Sequence, residues 1–154
     1  MPETTLPIDL AGHTLDQLEA RIADRTLPPV ERWNPTHCGD SEMRIARDGT
    51  WYHQGSAIGR EAMVRLFATV LRREPDGSHV LVTPAEKLTI LVEGTAFRAL
   101  TMSMEGENET RRIGFALDSG DAVIAGPDNP LTVIDTPDGP SPRLAVRHGL
   151  EATL

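Results

Sequence analysis

Asp48-Gly-Thr-Trp-Tyr-His-Gln-Gly55 and Asp76-Gly-Ser-His-Val-Leu-Val-Thr-Pro-Ala-Glu-Lys87 echo one another. In each, an Asp-Gly turn feeds a short extended run. The first run ends on His53 and Gln54, the second on Thr83, Glu86 and Lys87, all polar and chemically capable. Two similar hairpins are therefore expected, with loops that converge on one site.

Between the two copies, Ala62, Met63, Leu66, Phe67, Val70 and Leu71 recur at helical spacing, with Arg60, Glu61, Arg65 and Arg72 on the other side. This spacing predicts a helix over 59–73, ended by Glu74-Pro75-Asp76-Gly77. Upstream, Met43 and Ile45 alternate with polar neighbours towards Asp48-Gly49 and predict the hairpin's first strand. Earlier still, Thr14 and Gln17 form a capping-box pattern, and Leu15, Leu18 and Ile22 predict a short helix that stops before Pro28-Pro29. Residues 28–40 hold Pro28, Pro29, Pro35 and Gly39 around Trp33, an irregular arm expected to pack on the body.

Everything after Gly77 is strand-like: 79–83, 88–93, 97–104, 110–117, 122–125, 131–135 and 143–147, divided by Gly, Pro, Asp and Asn turns. Pro127, Pro130, Pro137, Pro140 and Pro142 mark loops and edges where ladder donors are dispensable. The expected class is α+β: helices early, then an antiparallel sheet or partly closed barrel. Its modules would be a helical segment over 1–27, an α+β module over 28–83 and a β module over 84–154.

A chain of 154 residues with 39% hydrophobic and 25% charged side chains can bury a core without staples. Its formal charge of -8, with no basic run longer than Arg72-Arg73 or Arg111-Arg112, disfavours nucleic acid and anionic lipid. The single cysteine, Cys38, fits a reducing cytoplasm, and no apolar run reaches the ~20 residues that span a bilayer. There is no Gly-rich phosphate loop, nucleophile elbow or spaced metal quartet, so no catalytic residue, cofactor or metal is assigned.

Candidate binding residues fall in three places. His53 and Arg60 flank the start of the central helix, where unpaired N–H groups favour an anion; the alternative is an ordinary capped helix start. Thr83, Glu86 and Lys87, the only lysine, can hold a phosphate or carboxylate, or form a plain surface turn. Trp51 can supply an apolar wall or a core anchor, and Arg147 either lines the same place or ends a strand. His37-Cys38 reads as a small packed thiol beside a turn.

Three stretches together resemble the bacterial domain of unknown function 1285 family: Pro28-Pro-Val-Glu-Arg-Trp-Asn-Pro35 with Gly39, Asp48–Gly55 leading to Met63-Val-Arg-Leu-Phe67, and Leu81-Val-Thr-Pro-Ala-Glu-Lys87. Val146-Arg-His-Gly-Leu-Glu-Ala152 is similar to the family's end region. The resemblance implies a duplicated small α+β motif, its second half similar to a pleckstrin-homology barrel. It also implies a pocket at the junction of the halves for an anionic, nucleotide-like ligand in signal transduction. The sequence departs from the family at Gly94-Thr95-Ala96-Phe97, where an acidic residue and a proline are usual, and in stopping at Leu154, where relatives continue. A protein-interaction domain using the C-terminal sheet edge is the alternative function.

Overall fold

The computed structural model describes residues 27–154; the helix expected near Thr14 lies outside them. The strands are β1 (Cys38–Ile45), β2 (Trp51–His53), β3 (Ser56–Ala57), β4 (Leu71–Arg73), β5 (His79–Val82) and β6 (Lys87–Val92), then β7 (Phe97–Glu105), β8 (Arg112–Leu117), β9 (Ala122–Ile124), β10 (Leu131–Thr136), β11 (Gly139–Arg147) and β12 (Leu150–Thr153). They form two six-stranded sheets, ordered β3-β2-β1-β6-β5-β4 and β10-β11-β12-β7-β8-β9. Reading the second order backwards reproduces the first, each strand number raised by six. In both sheets the module's first and last strands, β1 with β6 and β7 with β12, pair in parallel at the centre. The protein is two repeated sheet modules, mostly β, with linear strand orders.

The only α-helix among the described residues is α1 (Glu61–Thr69), between β3 and β4. At the corresponding place in the second module, Gly126 and Asn129 form a single β-bridge. The repeat is thus in the strands, while the two echoing Asp-Gly phrases both lie inside the first module. Both turns form as expected. Gly49 and Gly77 take φ of 92° and 89°, and Asp48 and Asp76 each accept the N–H two residues on, at 2.9 Å.

The helix is shorter than its periodicity predicts, because 71–73 is strand. Thr69 turns its hydroxyl onto the Leu66 carbonyl at 2.6 Å, and Val82 donates its N–H to Val70 O at 3.0 Å. Leu71 then pairs with Leu81 and Arg72 with Val80. Pairing of this kind sends Leu71 and Arg72 to opposite faces of the sheet, which a helix cannot do.

Period-two alternation sorts the first sheet into two faces. Trp51, Met43, Ile90, Leu81 and Leu71 share one, and all are buried. Helix α1 lies on this side: the Phe67 ring stacks on Trp51 with centroids 6.4 Å apart. The other face carries Arg72, Val80, Lys87, Thr89, Leu91, Arg44 and Tyr52. Part of it is covered by the proline-rich arm, whose Val30 packs with Val80 and Val82, flanked by Trp33 and Val70.

The module boundary expected at 83/84 cuts the first sheet, since β6 is bonded between β1 and β5; the compact units instead divide between Ala96 and Phe97. Prolines 140 and 142 lie inside β11 rather than in a loop. Their side of β11 faces β12, where the Pro142 carbonyl accepts the Leu154 N–H at 3.2 Å, so no donor to β10 is lost. Cys38 is exposed at the start of β1, not packed.

Candidate site on the open face of the first sheet

Where the arm ends, the second face of the first sheet is open. A groove of about 380 Å³ lies there, lined by Asp40, Glu42, Met43, Arg44, Tyr52, Gly55, Thr89, Ile90 and Leu91. A bulge in β1 shapes it, because Asp40 pairs with Thr89 while Met43 pairs with the next residue, Ile90. Local bonds hold the two extra residues. Asp40 Oδ1 accepts the Glu42 N–H at 2.8 Å, and the Ser41 hydroxyl donates to Thr89 O at 2.7 Å. Glu42 and Gln54 both adopt left-handed backbone, φ 58° and 50°. They are clasped together: the Gln54 N–H donates to Glu42 O, and its side-chain amide to the Glu42 carboxylate.

Across the groove, Arg44 lies over Tyr52, its Cζ 4.3 Å from the ring centroid. Arg44 also donates to Glu93 at 3.0 Å, a pair too exposed to contribute much stability. Leu91, 61% exposed, supplies apolar surface beside them. The arrangement offers a planar cation to stack on, a patch of hydrocarbon, and carboxylates that accept hydrogen bonds. Two carboxylates against one guanidinium make the groove acidic, which disfavours a polyphosphate.

Next to the groove, Lys87 leans away from it. Its ammonium bonds Glu74 Oε1 at 3.0 Å, and the same oxygen accepts Arg72 Nη2 at 3.0 Å. Arg72 Nη1 donates to the carbonyls of Val30 and Trp33 at 2.7 and 2.8 Å, while its Nε is buried without a partner. The arginine thereby ties the proline-rich arm to the sheet. Burial pushes the Glu74 carboxyl up, but the hydrogen bonds and charges of Arg72 and Lys87 together outweigh it and hold it below its usual value.

The sequence-derived residues are only partly gathered. Thr83, Glu86 and Lys87 do cluster. Thr83 Oγ1 accepts the Ala85 and Glu86 N–H groups, and Glu86 faces His37 at 3.9 Å. The loops after His53 and after Val82 share one end of the sheet, as the echo suggested. However, the pairing of His53 with Met43 puts it on the helix face, opposite Lys87. Trp51 is buried against Phe67 on that same face, and Arg60 is an exposed N-cap without a side-chain cap bond. Arg147 belongs to the second module, where it bonds Asp121 Oδ2 at 3.1 Å and lies over the Phe97 ring. Asp40, Glu42, Arg44 and Tyr52 were missed. Arg44 and Tyr52 are predictable partners once the hairpin register about Asp48-Gly49 is fixed, but nothing local announces the bulge.

Comparison with known proteins places the whole fold. The model for the N-terminal domain of DUF1285, a domain of unknown function, matches residues 28–95, and that for its C-terminal domain matches residues 96–154. The chain belongs to the DUF1285 family. The two family models meet where the two sheet modules meet. A crystal structure of a DUF1285 family protein from Silicibacter pomeroyi DSS-3 is 41% identical, with a TM-score of 0.79 over 91% of this chain and 77% of that one. A second, from Shewanella baltica OS155, is 22% identical with a TM-score of 0.55 over 73% and 82% of the two chains, a likeness of fold. No curated protein matches. No described helix of this DUF1285 chain is long and apolar enough to cross a membrane.

Proposed function

We propose that this DUF1285 protein is a ligand-binding module of signal transduction. Its ligand is a small planar molecule of nucleoside type, taken up in the groove on the first sheet. The Arg44–Tyr52 cation–π contact is the observation that carries the proposal, because a guanidinium held over one aromatic ring is suited to take a second. Asp40 and Glu42 would accept hydrogen bonds from the ligand's hydroxyl or amino groups. A phosphate, where the ligand has one, would lie away from these carboxylates. The Thr83–Lys87 loop remains the nearest cationic element, and an anion there competes with Glu74 for the lysine.

Calorimetric titration with adenosine, guanosine and their monophosphates tests the proposal, repeated on Tyr52→Ala, Arg44→Ala and Lys87→Ala. Binding should weaken at least tenfold, about 1.4 kcal/mol, in the first two variants. Loss in Lys87→Ala for the monophosphates alone would add the loop to the site. Affinities unchanged by the Tyr52 and Arg44 variants would remove the groove from consideration. The second reading is a protein-interaction domain using the C-terminal sheet edge. It is favoured by the exposure of Leu131, Val133 and Ile134 on β10.

A further inference from the structure

The repeat allows one edge to be compared with its counterpart. β4 and β10 hold the same place, the edge strand beside β5 and β11 respectively. In β4 the even-numbered side bonds β5, and the odd-numbered side points outward. There Arg73 gives its N–H to His148 O at 3.1 Å, so the first edge is capped. In β10 the pattern is the same: Thr132, Ile134 and Thr136 lie opposite Arg143, Ser141 and Gly139, and Ala145 N–H reaches Pro130 O. The N–H and C=O groups of Leu131, Val133 and Asp135 therefore point out from the sheet. No hydrogen bond from the described residues caps them.

Nothing in β10 guards this edge. Leu131-Thr-Val-Ile-Asp-Thr136 has no proline, no lysine and no bulge, and Leu131, Val133 and Ile134 are 43%, 65% and 41% exposed. Asp135 is its one charge. We propose that β10 pairs antiparallel with β10 of a second copy, about a two-fold axis at Val133, joining two sheets into one; this commits the sheet-edge reading to one partner.

Two observations set the register and direction of that pairing. Outward groups at 131, 133 and 135 are self-complementary about Val133. Leu131 meets Asp135 of the copy, Val133 meets Val133, and every outward donor and acceptor is used. The charge then fixes direction. In this arrangement the two Asp135 carboxylates stand roughly 14 Å apart along the strands, beyond the ~8 Å Debye length of physiological salt. A parallel in-register pair would set them about 4.8 Å apart. A six-residue edge buries less than the ~1,200 Å² of a stable interface, so the dimer is weak and concentration-dependent.

Sedimentation equilibrium of the full chain from ~1 µM to ~1 mM tests this, with Val133→Pro as the variant. Proline removes an N–H that serves only the outer edge, so the hairpin with β11 should survive. The expected result is a dimer in the upper range that Val133→Pro abolishes, with the variant's thermal unfolding within a few degrees of the parent. In the parent, amide exchange at Leu131, Val133 and Asp135, but not at the residues between, should slow as concentration rises. A dimer that Val133→Pro leaves unchanged would overturn the proposal. So would a monomer over the whole range. If that monomer still protects the same three amides when a synthetic peptide of residues 129–138 is added, the edge accepts a strand but not a second copy, and the sheet-edge reading outlives the dimer.

Discussion

Arg72 shows how much of the first module rests on one side chain. It sits in a strand, on the face the arm covers, with its guanidinium feeding two arm carbonyls and Glu74. Removing it leaves two arm carbonyls without their donor and Glu74 with Lys87 alone, so Arg72→Ala should lower unfolding free energy by about 2–4 kcal/mol. Lys87 shares the same carboxylate but is half-open to water, and Lys87→Ala should cost about 1 kcal/mol or less. Urea unfolding of both variants checks the order; equal losses would mean that Arg72 does not anchor the arm. Acid exposes a second consequence. Glu74 is held below its ordinary value of 4.5, so the stability it contributes is present above that value and is lost as pH falls through its lowered folded pKa. Burial, helped by the Arg73 charge, pushes His79 below 6.5, so the folded state disfavours its protonation and stability also declines as pH drops beneath 6.5. Urea midpoints followed from pH 8 to well below 4.5 should fall in two steps, and Glu74→Gln should remove only the lower one.

Among the elements, hairpins were legible and junctions were not. An Asp-Gly pair carries its own instruction, since glycine takes positive φ freely and the aspartate closes the turn locally. The continuation of the helical pattern through Leu71 was misleading, because apolar positions at helical spacing also suit a strand that follows directly from a helix. The bulge in β1 is illegible for a related reason: Glu42 has a φ that its side chain disfavours, and its bonds to Asp40 and Gln54 keep it there. Prolines 140 and 142 suggest a loop, yet β11 holds them because their missing donors lie on the β12 side and take no bond from β10. Two glycines separate turn strain from packing. Gly55 and Gly106 have φ of 84° and 80°, but a Cβ on Gly55 meets nothing, whereas one on Gly106 would lie 2.4 Å from the Thr110 backbone oxygen. Gly55→Ala should therefore cost about 1 kcal/mol from backbone strain alone. Gly106→Ala should cost distinctly more, about 2–4 kcal/mol, since the turn joining β7 to β8 must shift. Thermal midpoints of the two variants give the comparison.

At the scale of the molecule, the duplication is the one the family resemblance implies, and it is carried by the strand order of the two modules. Their boundary is also not a clean cut in the chain. His148–Leu150 belongs to the compact unit of residues 27–96, while Arg147 before it and Glu151 after it belong to the other. That turn brings the His148 carbonyl to the Arg73 N–H and buries Leu150 to 1% exposure. Gly149 has φ of 78°, and a Cβ there would lie 3.1 Å from Arg73 Cβ. Gly149→Ala, near the end of the chain, should therefore loosen the edge strand of the first module, at a cost of about 1–3 kcal/mol. Because the β11–β12 connection runs through the same turn, unfolding should remain a single transition rather than separate into two. Amide exchange provides the sharper check: the Arg73 N–H should exchange faster in Gly149→Ala while amides in β8 keep their ranking. An unchanged Arg73 amide, or two resolved unfolding steps, would mean that each module holds its own edge and that the turn only connects strands.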